Sequence, residues 1–341
     1  MSTPKRPADF DGALALVTGG AGFIGSHLVD ALLDRGARVR VFDDLSTGLE
    51  SNLASARSHG PERFQWLRGD LRDSAACAAA CDGASVIFHQ AALGSVPRSM
   101  KDPATSLAVN VGGTSNLFAA ARDAGVKRLV YASSSSVYGD SPELPKREGV
   151  EGAVLSPYAA SKKMCEDLAD IYGRCFGLDI VGLRYFNVYG PRQRPDGPYA
   201  AVIPRFFDAY TAGRAPVIFG DGEQSRDFTY VGDAVRANLL AAVAPAAACG
   251  RAYNVAGGRR VTLNELWRSV REHVGGGPEP AYEAPRAGDV RHSLADLTDI
   301  EGGLGFAPTV DLAEGLGKTA GHFADGGGKI PSKISGSPVS L

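Results

Sequence analysis

A short apolar run that breaks into spaced glycines limits what this chain can fold into more than any other feature. Residues 13–18, Ala-Leu-Ala-Leu-Val-Thr, read as a buried parallel strand, and residues 23–36 carry Ile24, Leu28, Ala31 and Leu32 at helical spacing. Gly19, Gly22 and Gly25 therefore lie in a strand-to-helix turn. There the first glycine permits a tight turn, the second lets the backbone approach a pyrophosphate, and the third lets helix pack on strand, with the anion at the helix N-terminus. A second strand, 38–42, ends at Asp43. A carboxylate at that place accepts hydrogen bonds from the ribose hydroxyls of adenosine and repels a 2′-phosphate, so the turn predicts NAD rather than NADP.

A second group of residues supplies the means to move a proton. Residues 157–176 read as a helix with Ser156 as N-cap and Pro157 in its first turn, and Tyr158 and Lys162 share one face of it. A free phenol needs about 4 kcal/mol of help to act as a base near neutrality, which a neighbouring lysine and an oxidised nicotinamide, both cationic, can supply. Ser134 falls in a serine cluster at the carboxyl end of the strand 129–132, where open α/β sheets bind ligands. Its hydroxyl is placed to hold a substrate oxygen during proton transfer.

Strands near 64–67, 86–88, 129–132 and 180–184 alternate with helices near 73–81, 103–124 and 157–176. That order predicts an α/β protein with a doubly wound parallel sheet of the Rossmann type. After Gly190 proline, glycine and aromatic residues become dense and helices shorten, with 217–219 an isolated strand. A smaller C-terminal α/β substrate lobe is expected: 10–190 for the dinucleotide with a return segment near 225–250, then 191–224 and 251–320 for substrate. The stretch 325–341, which has neither period nor core, is expected to be a mobile tail. With a net charge of −2 there is no electrostatic case for nucleic acid or an anionic membrane. Neither a spanning helix nor a signal-like segment is legible, so the cytoplasm is the expected location. Five cysteines, at 77, 81, 165, 175 and 249, form no Cys-x-x-Cys pair, and Cys77 and Cys81 read as buried thiols. His89 ends a strand beside the expected cleft, and no metal-ligand spacing is present.

Taken in order, Gly19-x-x-Gly22-x-x-Gly25, Gly69-Asp70-Leu71-Arg72-Asp73, His89-Gln90-Ala91-Ala92, Ser134 to Gly139, Tyr158-x-x-x-Lys162, Leu183 to Pro191, Ser225-Arg226-Asp227-Phe228 and Arg286-Ala287-Gly288-Asp289 resemble one family. It is the extended short-chain dehydrogenases/reductases that act as nucleotide-sugar epimerases and dehydratases. The chain is most similar to bacterial UDP-N-acetylhexosamine 4-epimerases through Ala91 to Ser99 and Pro191 to Pro204. That likeness implies an isomerase of the kind used in polysaccharide biosynthesis, commonly a homodimer built through a helix bundle.

The resemblance also implies roles. Ser134, Tyr158 and Lys162 would be catalytic. NAD would be held by Gly19, Gly22, Phe23, Ile24 and Gly25, by Asp43, Asp44, Ser46, Thr47 and Gly48, and by Asp70 and Leu71. Gln90, Ala91, Ala92, Asn110, Ser133 and Tyr185, with Tyr158 and Lys162, would complete its site. Asn187, Arg226 and Arg286 would meet the substrate diphosphate, Asp289 the uridine ribose, and Pro216, Ile218 and Phe219 the uracil. Ser95 and Val202 join Gly94, Ser134, Ser135, Gln193 and Ala201 around the sugar.

Family dehydratases and decarboxylases carry acids just after the catalytic hydroxyl, where this chain has Ser135 and Ser136. Oxidation and reduction at one carbon, a 4-epimerisation through a 4-keto sugar, is the chemistry that remains. In members restricted to non-acetylated sugars a tyrosine stands where this chain has Ser293, so the resemblance implies room for a 2-acetamido group. Two alternatives stay open: a 4-epimerase of UDP-N-acetylglucosaminuronate or UDP-glucuronate, with Arg98 or Arg194 on the carboxylate, and an inactive NAD-sensing module.

Overall fold

The computed structural model describes residues 10–195, 201–285 and 290–324. Its centre is a seven-stranded parallel sheet. The first six strands are β1 (Leu14–Thr18), β2 (Arg38–Asp43), β3 (Phe64–Arg68), β4 (Val86–His89), β5 (Arg128–Ser134) and β6 (Asp179–Tyr185). They lie in the order β3-β2-β1-β4-β5-β6, and the strand Arg251–Val255 pairs with β6 to close the far edge. The winding direction reverses between β1 and β4, which opens a crevice at their carboxyl ends.

Both faces of the sheet are covered, as continuous apolar strands require. Val17 of β1 packs into one core with Leu28, Leu32, Leu239 and Leu240, while its neighbour Leu16 joins Phe118, Leu129 and Cys165 in the other. Cys77 and Cys81 are buried in that second core, where burial pushes their thiols up to about 11 and about 12.

The helix Pro157–Phe176 begins and ends as its punctuation dictates. Ser156 accepts from Ala159 N at 3.1 Å, and Gly177 closes it with φ +70° in the left-handed region. The expected helix 103–124 instead runs in three pieces, Pro103–Leu107, a π-helical turn Ala108–Gly112, and Gly113–Asp123. The wide turn lets the Asn110 side chain bind Leu93 N at 2.8 Å and Ser161 Oγ at 3.0 Å.

The smaller part has its own core of Phe206, Phe207, Ile218, Trp267, Leu316 and others. Its helix Leu263–Val274 opens on a reciprocal Thr262–Glu265 cap and stops at Gly275. Three expectations change here. The strand Val217–Phe219 is not isolated, because Ala281–Glu283 pairs with it in parallel. Arg251–Val255, expected in the substrate lobe, is the seventh strand of the main sheet. Ser225–Asp227, expected in the return segment, pairs antiparallel with Arg260–Thr262 instead. The expected tail 325–341 lies outside the described residues. Among the described residues no helix is long and apolar enough to cross a membrane, and no group of three or more His, Cys, Asp or Glu is arranged to hold a metal.

Candidate active site

The switch-point crevice is narrow because two turns touch. Gly19 follows β1 with φ +68°, and a Cβ there would lie 2.6 Å from the amide nitrogen of Ala91, which follows β4. Gly22 precedes the helix Phe23–Leu33 in extended backbone, with no side chain capping the first-turn amides. Uncapped amides at a helix start, reached across a glycine, are what a pyrophosphate needs. At the end of β2, Asp43 accepts from Ala21 N at 2.9 Å and from Leu45 N at 2.8 Å. Burial raises its pKa against those two bonds. Each carboxylate oxygen keeps a lone pair for a ribose hydroxyl, so the chain's own residues fit the adenosine end of NAD.

A cavity of about 800 Å³ runs from this turn to Ser134, Tyr158 and Lys162. Gly19, Gly22, Phe23, Ile24 and Gly25 form one end, followed by Asp43, Asp44, Ser46, Thr47, Asp70 and Leu71. Gln90, Ala91, Ala92, Ser133 and Tyr185 wall its middle, and Gly94, Ser95, Ser134, Ser135, Tyr158 and Lys162 its far end. Two expected cofactor residues do not reach it. Gly48 packs against Ala21, where a Cβ would come within 2.9 Å, and Asn110 is buried in the hydrogen bonds described above.

Ser134 ends β5, and its Oγ lies 3.2 Å from Ser136 N and 2.9 Å from Ser136 Oγ. Lys162 is buried and donates from Nζ to Ala132 O at 2.8 Å, leaving two ammonium protons. The Tyr158 phenol makes no hydrogen bond among the described residues, while its backbone N–H is pinned to Ser99 Oγ at 3.0 Å. A phenol without a partner, an ammonium and a hydroxyl converge on one cavity wall, an arrangement suited to general acid–base work on an alcohol.

Beneath that wall runs a string of hydrogen bonds that sequence reading did not foresee. Thr18 Oγ1 lies 2.7 Å from His89 Nδ1, and His89 Nε2 lies 2.9 Å from Thr114 Oγ1. The Thr114 hydroxyl donates to Asn110 O, so it accepts from His89, which fixes the Nε2–H tautomer. Asn110 continues to Ser161 Oγ, whose proton goes to Tyr158 O at 2.7 Å. Burial, with help from the Lys162 charge, lowers His89 to about 3 and keeps it neutral. A second hidden network anchors β5 from behind. Arg184 grips the Glu166 carboxylate with two bonds of 2.8 Å, and Ser133 Oγ donates to that carboxylate at 2.6 Å.

A neighbouring cavity of about 500 Å³ shares Asn187, Val188, Gln193 and Ala201 with the first. Val202, Pro216, Phe219 and Arg226 wall it too. Asn187 donates to Asp227 O and Gln193 to Val188 O, each at 2.9 Å. Ile218 points the other way, into the small core, because successive residues of a strand face opposite sides; Val217 takes the place expected of it. Ser293 walls neither cavity and pairs its N–H with Ser225 O at 3.1 Å. Arg286 and Asp289 lie outside the described residues. Arg98 lines the first cavity, and the sequence had named it only for an alternative substrate.

A model of the NAD dependent epimerase/dehydratase family matches residues 15–256. The chain is 43% identical over 310 residues to the UDP-glucose 4-epimerase of Mycolicibacterium smegmatis, covering 90% of this chain and 97% of that one. The structure of UDP-N-acetylglucosamine 4-epimerase from Methanobrevibacter ruminantium, in complex with UDP-N-acetylmuramic acid, superposes with a TM-score of 0.87 at 39% identity, covering 93% and 99%. The Thermus thermophilus UDP-glucose 4-epimerase in complex with NAD gives 0.82 at 38% identity, covering 91% and 99%. With the glycine turn, the Asp43 carboxylate and the Ser134, Tyr158 and Lys162 wall in one cavity, the agreement extends from sequence to site, and this chain belongs to the NAD-dependent epimerase/dehydratase family.

Proposed function

We propose that the protein is an NAD-dependent 4-epimerase of UDP-N-acetylhexosamines, interconverting UDP-GlcNAc and UDP-GalNAc. One observation carries the reading. The cavity holding Ser134, Tyr158 and Lys162 joins the one holding Phe219 and Arg226 through a shared wall, and Gly94, Ser135 and Ala201 keep the sugar end of that passage small-walled.

In this reading Tyr158 takes the proton of the 4-hydroxyl, Lys162 supports the phenolate, and Ser134 holds the sugar oxygen throughout. When bound, NAD would supply a reversible hydride acceptor. Arg226, with Arg286, holds the diphosphate while the 4-keto sugar swings about it and turns its other face to the cofactor. The extent 10–190 with the return segment 231–255 would serve the cofactor, and 191–230 and 256–320 chiefly the UDP-sugar. A homodimer is part of the proposal. Met100, Met164 and Ile171 are exposed to 63%, 45% and 43% on adjoining helices, apolar surface suited to a second copy.

Arg98 favours a second reading. Arg98 lines the cavity of Ser134, Tyr158 and Lys162, and its guanidinium has no hydrogen bond or ion pair among the described residues, which suits a sugar 6-carboxylate. Turnover on a panel of acetylated, plain and uronic UDP-sugars separates the two. The acetylated pair is expected to give the highest kcat/KM. A preference for UDP-glucuronate would replace the first reading with the second.

A further inference from the structure

Behind the cofactor cavity three side chains from distant parts of the sequence close a ring of hydrogen bonds. Tyr185 at the end of β6 donates its hydroxyl proton to Gln90 Oε1 at 3.0 Å. Gln90, just beyond β4, donates from Nε2 to Asn238 Oδ1 at 2.9 Å. Asn238, in the helix Val231–Ala242, returns an Nδ2–H to the Tyr185 oxygen at 2.6 Å.

The direction of the ring is determined. Asn238 Nδ2 also donates to Ala234 O at 2.8 Å, and turning that amide over would set two acceptors against each other. Its Oδ1 must therefore face Gln90 Nε2. That turns Gln90 Oε1 toward Tyr185 and makes the phenol a donor to it. Every bond runs the same way round, so each polarises the next.

The ring joins the ends of β4 and β6 to the helix Val231–Ala242, which packs on the sheet largely through apolar side chains. Gln90 and Tyr185 wall the cofactor cavity, and Tyr185 is the register partner of Ser134 across the β5–β6 pair. Asn238 is fully buried, lies outside the cavity wall, and belongs to the helical layer on one face of the sheet. The ring thus ties the carboxyl ends of β4 and β6 to a helix that itself does not line the site. Burial pushes the Tyr185 phenol up to about 12, against its two hydrogen bonds, so this second tyrosine of the cavity stays protonated.

We propose that the Gln90–Tyr185–Asn238 ring is a positioning device that fixes the cofactor-facing ends of β4 and β6 and so sets how firmly NAD(H) is retained between the two half-reactions of a turnover. An epimerase of this kind keeps its dinucleotide while the keto sugar turns over, and a wall able to shift would let it escape. The inference rests on the family's use of NAD. Its retention arm needs no sugar, so it stands or falls apart from the choice of substrate.

Two variants test it, Asn238→Leu, which removes a partner outside the cavity, and Tyr185→Phe, which removes one oxygen and keeps the ring body. Each is dialysed, then denatured to measure the NAD(H) released. Each is also assayed with and without added NAD on whichever UDP-sugar the unaltered protein turns over. Both should retain several times less NAD(H). The kcat should fall about tenfold without added cofactor, consistent with one or two buried polar groups losing their partners. Added NAD should restore most of it, and KM for the sugar should stay within about twofold. Wild-type cofactor retention in the folded Tyr185→Phe protein would overturn the proposal. So would a loss of kcat that added NAD does not repair, or a fall in Tm with retention unchanged.

Discussion

The cofactor half and the proposed nucleotide half of this molecule are assembled by different rules. At the cofactor end, Gly19, Gly22 and Gly25 sit in one continuous turn between β1 and the helix Phe23–Leu33, so local geometry alone sets their positions. At the nucleotide end, Arg226 stands on a strand held by Arg260–Thr262, and Phe219 on one held by Ala281–Glu283. Site residues placed by a single turn tolerate change in distant segments; site residues placed by long-range pairing inherit the errors of every partner.

Tyr158→Phe probes the catalytic wall and should have the largest effect. Turnover is expected to fall by about 100-fold or more, the usual scale for a lost general base, with NAD content unchanged because the glycine turn is untouched. Near-normal activity would place the proton transfer elsewhere and dissolve the division between holding and reacting.

Arg226→Ala probes the nucleotide half. A lost charge-assisted contact to a diphosphate predicts a rise in KM of roughly 10- to 100-fold, with NAD content again unchanged. If cofactor is lost together with substrate affinity, the two halves are not separable as described.

Acidification should act with opposite sign on the buried histidines of the cofactor half and on Asp227, and the partial cancellation makes this the smallest net effect. Burial lowers His27 to about 4 and His89 to about 3, both in the cofactor half. Below their unfolded value near 6.5 the unfolded chain binds the protons, so their contribution is lost as pH falls from about 6.5 toward 4. Burial raises Asp227 of the nucleotide half to about 6, against N–H bonds from Gly257 and Ala295. Its contribution is present below the unfolded value and is lost as pH rises through about 6. Hydrogen exchange between pH 7 and 4.5 should therefore speed up at β1 and β4 more than at Ser225–Asp227. Equal acceleration in both regions would remove the distinction.

What sequence could reveal follows the same divide. The helix Pro157–Phe176 was legible to the residue because Ser156, Pro157 and Gly177 each have one preferred place at a helix end. The π-helical turn Ala108–Gly112 leaves no such mark, since what maintains it is the fit of Asn110 against Leu93 and Ser161. Ile218 was placed at the uracil by the resemblance, and a three-residue strand gives too little alternation for its own pattern to have corrected that. Asn238 reads as any polar residue in an amphipathic helix. Only the arrival of Gln90 and Tyr185 from other parts of the sheet gives it a meaning, and Ser293 likewise meets Ser225 only through pairing across a long stretch.

The hydrogen-bonded string beneath the catalytic wall bears on where a proton can go. From the Ala91 amide through Thr18, His89, Thr114, Asn110 and Ser161 to the carbonyl of Tyr158, each donor is already committed and each link points one way. The imidazole, the one group in it that ordinarily titrates near neutrality, is held neutral and has both nitrogens occupied. Because it begins at an amide N–H, passes through the Asn110 amide and ends on a carbonyl, none of which relays a proton, the string insulates rather than conducts. In the proposed reaction, a proton lifted from the sugar would find no vacant site in that floor and would stay with Tyr158 until the sugar took it back.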